Sequence, residues 1–301
     1  MTPDDLVPAA LRADKQSLMP DPMPVGRRGF MAGASLATGY ALAAGPVQAQ
    51  TAIVTDTQGL SAGMVNIRTG DGRQMPAYYA RPAQGSKFAT VIVVQEIFGV
   101  HEYIKDTCRR LAKIGYLAVA PEYYFRQGNP AAAPDIPTIQ RDIVARVPDA
   151  QVMADTDAAV AWAGGPVGRG ETSRLGITGF CWGGRIVWLY AAHNQNLRAG
   201  VAWYGVLTGP TNEMRTSHPL AQVARINAPI LGLYGGADQG IPNDTVDQMR
   251  AALRAGGKPS EIVTYPDMPH AFHADYRPSY REAAARDGWR RLEVWFSRNL
   301  V

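Results

Sequence analysis

Cysteine is nearly absent from this 301-residue chain: there are two, Cys108 and Cys181. So few thiols exclude a small disulfide-stapled fold, and no Cys-x-x-Cys or His-x-x-x-His spacing offers a metal ligand set. Basic runs and basic–aromatic interleaving are also missing, and the net charge is only +4. A nucleic-acid partner is therefore not expected. There is no internal repeat, and no linker divides residues 50–301. What remains is 46% hydrophobic and 19% charged, the balance of one large globular α/β unit.

The longest apolar stretch outside the expected core, Ala32 to Ala44, is short and rich in glycine and alanine. It follows Arg27-Arg28-Gly29-Phe30-Met31, a twin-arginine signal, and precedes Val47-Gln48-Ala49, small residues of the kind a signal peptidase reads. The expectation is a leader over 1–49, cleaved rather than kept as a membrane anchor. The domain at 50–301 would then be exported already folded by the twin-arginine translocation machinery, to the periplasm or the medium.

Along the rest of the chain, short apolar segments alternate with helical ones. Met64–Arg68 and Met75–Ala80 flank Gly70-Asp71-Gly72, a hairpin signal. Ala89-Thr-Val-Ile-Val-Val94 is a continuous apolar run, as in a parallel strand buried on both faces. Helices are expected at 102–115, about 138–164, 184–192, 242–256 and 280–299. Further strands are expected at 116–120, 174–179, 200–204, 230–234 and 262–265. Such alternation predicts an α/β fold with a mostly parallel sheet and helices on both faces. Cys108 falls in the first of these helices and reads as a small buried apolar residue.

The chemistry concentrates at Gly179-Phe180-Cys181-Trp182-Gly183, a G-x-S-x-G nucleophile elbow with cysteine in place of serine. A nucleophile on a tight strand-to-helix turn is exposed at the carboxyl end of the sheet. There the helix N-terminus favours a thiolate and offers N–H groups to an oxyanion. Two further groups follow later strands: Asp238 in Gly235-Gly236-Ala237-Asp238, and His270 in Pro266-Asp267-Met268-Pro269-His270. The order nucleophile, acid, histidine is that of the α/β-hydrolases. In such a set the histidine moves protons, the carboxylate fixes its tautomer and the thiolate attacks a carbonyl. Asp238 could instead cap the next helix, Asp267 lies nearer His270 in sequence, and His273 competes with His270. His101, His193 and His218 lack a partnering motif and read as surface or packing residues.

Four segments together resemble the dienelactone hydrolase family: Val93-Val-Gln-Glu-Ile-Phe-Gly-Val-His101, Gly179-Phe-Cys-Trp-Gly-Gly184, Trp203-Tyr-Gly205 and His270-Ala-Phe-His-Ala-Asp-Tyr-Arg-Pro278. The resemblance spans roughly residues 60–300. It implies a small-molecule ester or lactone substrate, cleaved through a thioester on Cys181 without metal or organic cofactor. It gives Glu96 the role of helping to form the thiolate, and the backbone N–H groups of Ile97 and Trp182 that of an oxyanion hole. Walled by Val94, Ile97 and Phe98, the Glu96 carboxyl is expected to have a raised pKa. Arg141, in Gln140-Arg141-Asp142, matches an arginine that grips a substrate carboxylate. The second such arginine is replaced by Ala274, with Arg277 near but out of register. Tyr124, Phe125 and Tyr204 are candidate pocket walls. Alternative readings are a broad-specificity periplasmic carboxylesterase and a non-catalytic binding protein on the same fold.

Overall fold

The computed structural model describes residues 53–301. The twin arginines and the expected cleavage site lie outside the described residues.

Strands β1 (Leu60–Arg68) and β2 (Gln74–Pro82) form the expected hairpin. Its turn is closed by the Thr69 amide donating to the Arg73 carbonyl at 2.9 Å, with Gly72 at φ +81°, a backbone conformation that glycine takes without steric cost. Then come β3 (Phe88–Val94), α1 (Glu102–Lys113), β4 (Leu117–Pro121), α2 (Asp149–Ala163), β5 (Gly170–Phe180), α3 (Trp182–His193) and β6 (Leu197–Trp203). β7 (Ile230–Gly235), α4 (Asn243–Ala255), β8 (Glu261–Tyr265) and α5 (Glu282–Asn299) complete the chain. The eight strands make one sheet in the order β1-β2-β4-β3-β5-β6-β7-β8. β2 joins β1 and β4 antiparallel, and every pairing from β4 to β8 is parallel.

Burial explains the composition of the central strands. Every residue of β4 is buried, and all of β3 after Phe88. Successive strand side chains point to opposite faces, so unbroken burial means that both faces are covered. The core gathers aliphatic strand residues with large aromatics, among them Trp188, Trp203, Tyr123 and Phe296, each fully buried.

One expected element is divided. Instead of a helix over 138–164, the chain makes short helical turns through residues 136–146, and α2 starts at Asp149. Pro148 is the cause. It has no N–H to donate, and its ring disfavours helical backbone before it. Val147 is accordingly extended, at φ −96° and ψ 110°, and Pro148 stands as the N-cap of α2.

The first described residues are fastened to α1 and to the loop after β8. The Ile53 amide donates to the Asp275 carboxylate at 2.7 Å, and the Thr55 amide to Asp106 at 2.6 Å. Arg109 Nε returns a hydrogen bond to the Thr55 carbonyl at 2.7 Å.

Candidate active site

The carboxyl ends of β3, β5, β7 and β8 meet at Cys181. The residue lies between β5 and α3, where it is the helix N-cap with φ 58° and ψ −113°. A non-glycine residue with positive φ stores of order 1–3 kcal/mol of strain. The turn is held by the Cys181 amide donating to the Trp203 carbonyl at 3.0 Å. Close packing makes glycine necessary beside it. A Cβ on Gly183 would lie 2.4 Å from the Val94 carbonyl oxygen and 2.6 Å from that of Gln95. The N-terminus of α3 is thus pressed onto the end of β3. Trp182 opens the helix, so its N–H has no intrahelical carbonyl to meet. Ile97 follows β3 on the neighbouring strand end.

The next two groups arrive on loops zipped together. The turn after β7 bonds to the loop after β8 through the Gly236 amide to the Tyr265 carbonyl (2.7 Å) and the Ala237 amide to that of Met268 (3.1 Å). This brings buried Asp238 to His270, with Nδ1 2.6 Å from Oδ2. The other Asp238 oxygen accepts from the Gly240 amide at 2.8 Å. The following helix is capped by Pro242, so Asp238 does not serve there. Burial works against a charged His270, but the Asp238 carboxylate, then Cys181, outweighs it and raises the imidazole to about 10. Asp267 is exposed. His273 is buried, with Nδ1 2.5 Å from the Tyr103 hydroxyl and its ring 4.3 Å from that of Trp203. Burial drives its pKa well below the ordinary value, so the histidine beside the acid is His270.

Glu96 is fully buried at the end of β3, and its titration departs from the sequence expectation. Burial does push its carboxyl up, but His101, Arg277 and Tyr276 outweigh that and hold it below the ordinary carboxylate value. The Tyr276 hydroxyl donates to Glu96 Oε2, and His101 Nε2 lies 3.4 Å from the same oxygen. These three polar side chains, and not the apolar walls Val94, Ile97 and Phe98, set the titration of Glu96. His101 packs among Phe98, Tyr103 and Tyr276, and it also faces the Glu96 carboxylate.

Tyr124 and Tyr204 are both fully buried at the site. The Tyr124 hydroxyl donates to the Glu96 carbonyl at 3.3 Å, and its ring is 5.1 Å from that of Trp182. The Tyr204 ring is 5.1 Å from His270, on backbone with φ 38°. Phe125 is partly buried against the core. Arg141 is not brought in. Its side chain is 67% exposed and ion-paired with its neighbour Asp142 at 2.6 Å, because the turn that carries it faces solvent. The guanidinium that the site does contain is that of Arg277. Its guanidinium lies 5.6 Å over the Phe98 ring, and its charge is felt by Glu96 and Cys181. Of the other groups, His193 pairs with Asp157 at 2.8 Å on the surface, and His218 bonds the Pro210 carbonyl at 3.1 Å. Cys108 is a buried free thiol that burial pushes up.

A mostly parallel sheet with a cysteine elbow after β5, an aspartate after β7 and its histidine partner after β8 is the arrangement of an α/β-hydrolase. The dienelactone hydrolase family profile matches residues 75–300, and the chain belongs to that family. It is 60% identical over 262 residues to a Methylorubrum extorquens protein named "Putative carboxymethylenebutenolidase", covering 87% of this chain and 89% of the relative. An Escherichia coli K12 protein of the same name is 54% identical over 260 residues, covering 86% and 94%. Among solved structures, a "Putative Dienelactone Hydrolase" from Klebsiella pneumoniae is 55% identical with a TM-score of 0.77, covering 79% of this chain and 98% of that one. The fold alone is shared with a dienelactone hydrolase-like promiscuous phosphotriesterase from metagenomic libraries, 19% identical with a TM-score of 0.66 over 80% of this chain and 99% of that one.

Proposed function

We propose that this enzyme hydrolyses a small carboxylic ester or lactone, with Cys181 as nucleophile. The observation that carries the reading is Cys181 on its strained elbow, within electrostatic reach of a His270 oriented by Asp238 at 2.6 Å. The names of the relatives agree with this substrate class.

The proton balance follows from the charges. His270, raised to about 10, is imidazolium at neutral pH and cannot accept the thiol proton. Glu96, held below its ordinary value, is a carboxylate and can. The S–H bond of Cys181 breaks toward Glu96, and the thiolate attacks the substrate carbonyl. The oxyanion formed takes hydrogen bonds from the Ile97 and Trp182 amides. Collapse expels an alkoxide that takes the proton of His270, leaving a thioester. Neutral His270 then removes a proton from water, and the hydroxide attacks the thioester. The departing thiolate recovers its proton from Glu96, and the acid is released.

Arg277 supplies a cation to the same space, so substrates carrying a carboxylate are the favoured class. Tyr124 and Tyr204 form the walls. Export in folded form through the twin-arginine route is part of the same proposal and rests on Arg27-Arg28 and Ala49. The decisive test is mass spectrometry of the wild-type enzyme with a slow ester. An acyl adduct on Cys181 is expected, and turnover with no adduct in wild type and full activity in Cys181→Ala would reject the nucleophile.

A further inference from the structure

We propose that His101 is the positioning residue that keeps Glu96 charged, its imidazolium being the counter-ion that lets a fully buried carboxylate serve as the proton acceptor of Cys181. This rests on the roles just proposed for Cys181 and Glu96.

The geometry is specific. His101 stands five residues beyond Glu96, at the N-cap of α1, with Nε2 3.4 Å from Glu96 Oε2. Only 12% of its side chain is exposed. Neither ring nitrogen makes a hydrogen bond, although both are buried, and the second Glu96 oxygen has no hydrogen-bond partner either. The ring is fixed from two sides, 4.8 Å from Tyr276 and stacked 6.0 Å from Tyr103. Glu96 Oε2 accepts from Tyr276 and is also the oxygen nearest His101; an imidazole this close with no hydrogen bond of its own fits a positive charge beside the carboxylate, since an isolated buried carboxylate protonates instead.

The charge count gives the arrangement its use. Before transfer, Glu96 is negative, His101 positive and the thiol neutral. After transfer, Glu96 is neutral, His101 still positive and the sulfur negative. A proton moved within the site leaves its total charge unchanged, and Arg277, felt by both Glu96 and Cys181, adds a positive charge to either state; what His101 changes is how readily Glu96 is held as a carboxylate beforehand. The other groups around His101 are Phe98, Tyr103 on α1 and Tyr276 from the loop after β8, with the charge of Glu122 after β4 also felt; Arg277 acts on the same Glu96 carboxylate. Glu122 is occupied by the Val100 amide at 2.7 Å.

The test is single-turnover acylation against pH. Without its counter-ion Glu96 takes up its proton at higher pH, so His101→Asn should move the acidic limb upward by about one unit, an approximately tenfold loss below the limb. His101→Gln repeats the measurement if the asparagine variant does not fold. His101→Lys should return the limb toward its wild-type place. Equal loss at every pH, or a lysine variant as defective as the asparagine one, overturns the proposal. Glu96→Gln separates the two levels: unchanged acylation in that variant means that Glu96 is not the acceptor at all, whatever His101 does. If Glu96 is the acceptor, His101→Asn should have no further effect on the limb in the Glu96→Gln background.

Discussion

His270 Nδ1 and Asp238 Oδ2 are 2.6 Å apart, although 32 residues separate them in sequence. The carboxylate fixes the ring and keeps it charged, and this has consequences for both rate and stability. Asp238→Asn should lower kcat by roughly 10³–10⁴-fold, since ring orientation and imidazolium stabilisation are lost together. Steady-state kinetics on any responsive ester gives the answer, and a loss below tenfold contradicts the assignment.

The same pair sets a pH dependence whose sign is fixed. The folded value of His270, about 10, lies above the ordinary value of about 6.5. Its contribution to stability is therefore fully present below pH 6.5 and is lost as pH rises through 10. Denaturant midpoints for the wild type should fall across that window more steeply than those of Asp238→Asn. The alkaline limb of kcat/KM should lie near 10 for the same reason, because neutral His270 cannot protonate the leaving oxygen.

Cys181→Ala should lower turnover by roughly 10⁴-fold or more and leave the fold intact. Alanine has the same backbone strain to bear at φ 58°, so the thermal midpoint should change little. Circular dichroism and ester hydrolysis on one preparation distinguish lost chemistry from lost structure.

Gly183→Ala tests the packing of α3 against β3. The added methyl would sit 2.4 Å from a carbonyl oxygen of the main chain, and neither backbone can yield without moving the elbow. A loss of about 1–3 kcal/mol is expected, read as a fall in Tm of roughly 2–10 °C. Activity should fall further than stability does, because the Trp182 amide shifts with the helix.

Arg277 and Arg141 make a matched pair for substrate recognition. Arg277→Ala should reduce kcat/KM for an acidic lactone by roughly ten- to a hundredfold, the worth of one charge-assisted contact, and affect a neutral ester less. Arg141→Ala should leave both substrates unchanged, since its guanidinium is exposed and held by Asp142. Equal losses on acidic and neutral substrates for Arg277→Ala would mean that the natural substrate need not carry a carboxylate.

Replacing Arg27 and Arg28 by lysine should hold the precursor in the cytoplasm, as fractionation of an expressing bacterium would reveal. Normal export of that variant rejects the twin-arginine reading.

The parts of the fold legible in the sequence were those written in local patterns. The apolar run of β3, the hairpin turn at Gly72 and the elbow around Cys181 each carry their signal within ten residues. Asp238 and His270 were recoverable because the order of strands fixes where their loops meet. Three things escaped. The helical pattern over 138–164 runs through Pro148, though a proline there forces a break. The low pKa of Glu96 depends on His101, Tyr276 and Arg277, two of them about 180 positions away in the chain, and apolar neighbours in sequence hid them. The sequence puts Arg141 in the expected register and Arg277 beside it, but only the folding of the loop after β8 brings the Arg277 guanidinium within electrostatic reach of Cys181.

The hydrogen bonds from Ile53 to Asp275 and from Thr55 to Asp106 also bear on how the enzyme is handled. Asp275 belongs to the loop that presents Tyr276 and Arg277 to Glu96, so Ile53 and Thr55 act as a clasp on that loop and on α1. Only three residues, Gln50 to Ala52, separate that clasp from the expected cut after Ala49. An affinity tag or a trimmed start there pulls on the loop directly, whereas Val301, 89% exposed at the other end, is a place to attach one without disturbing catalysis.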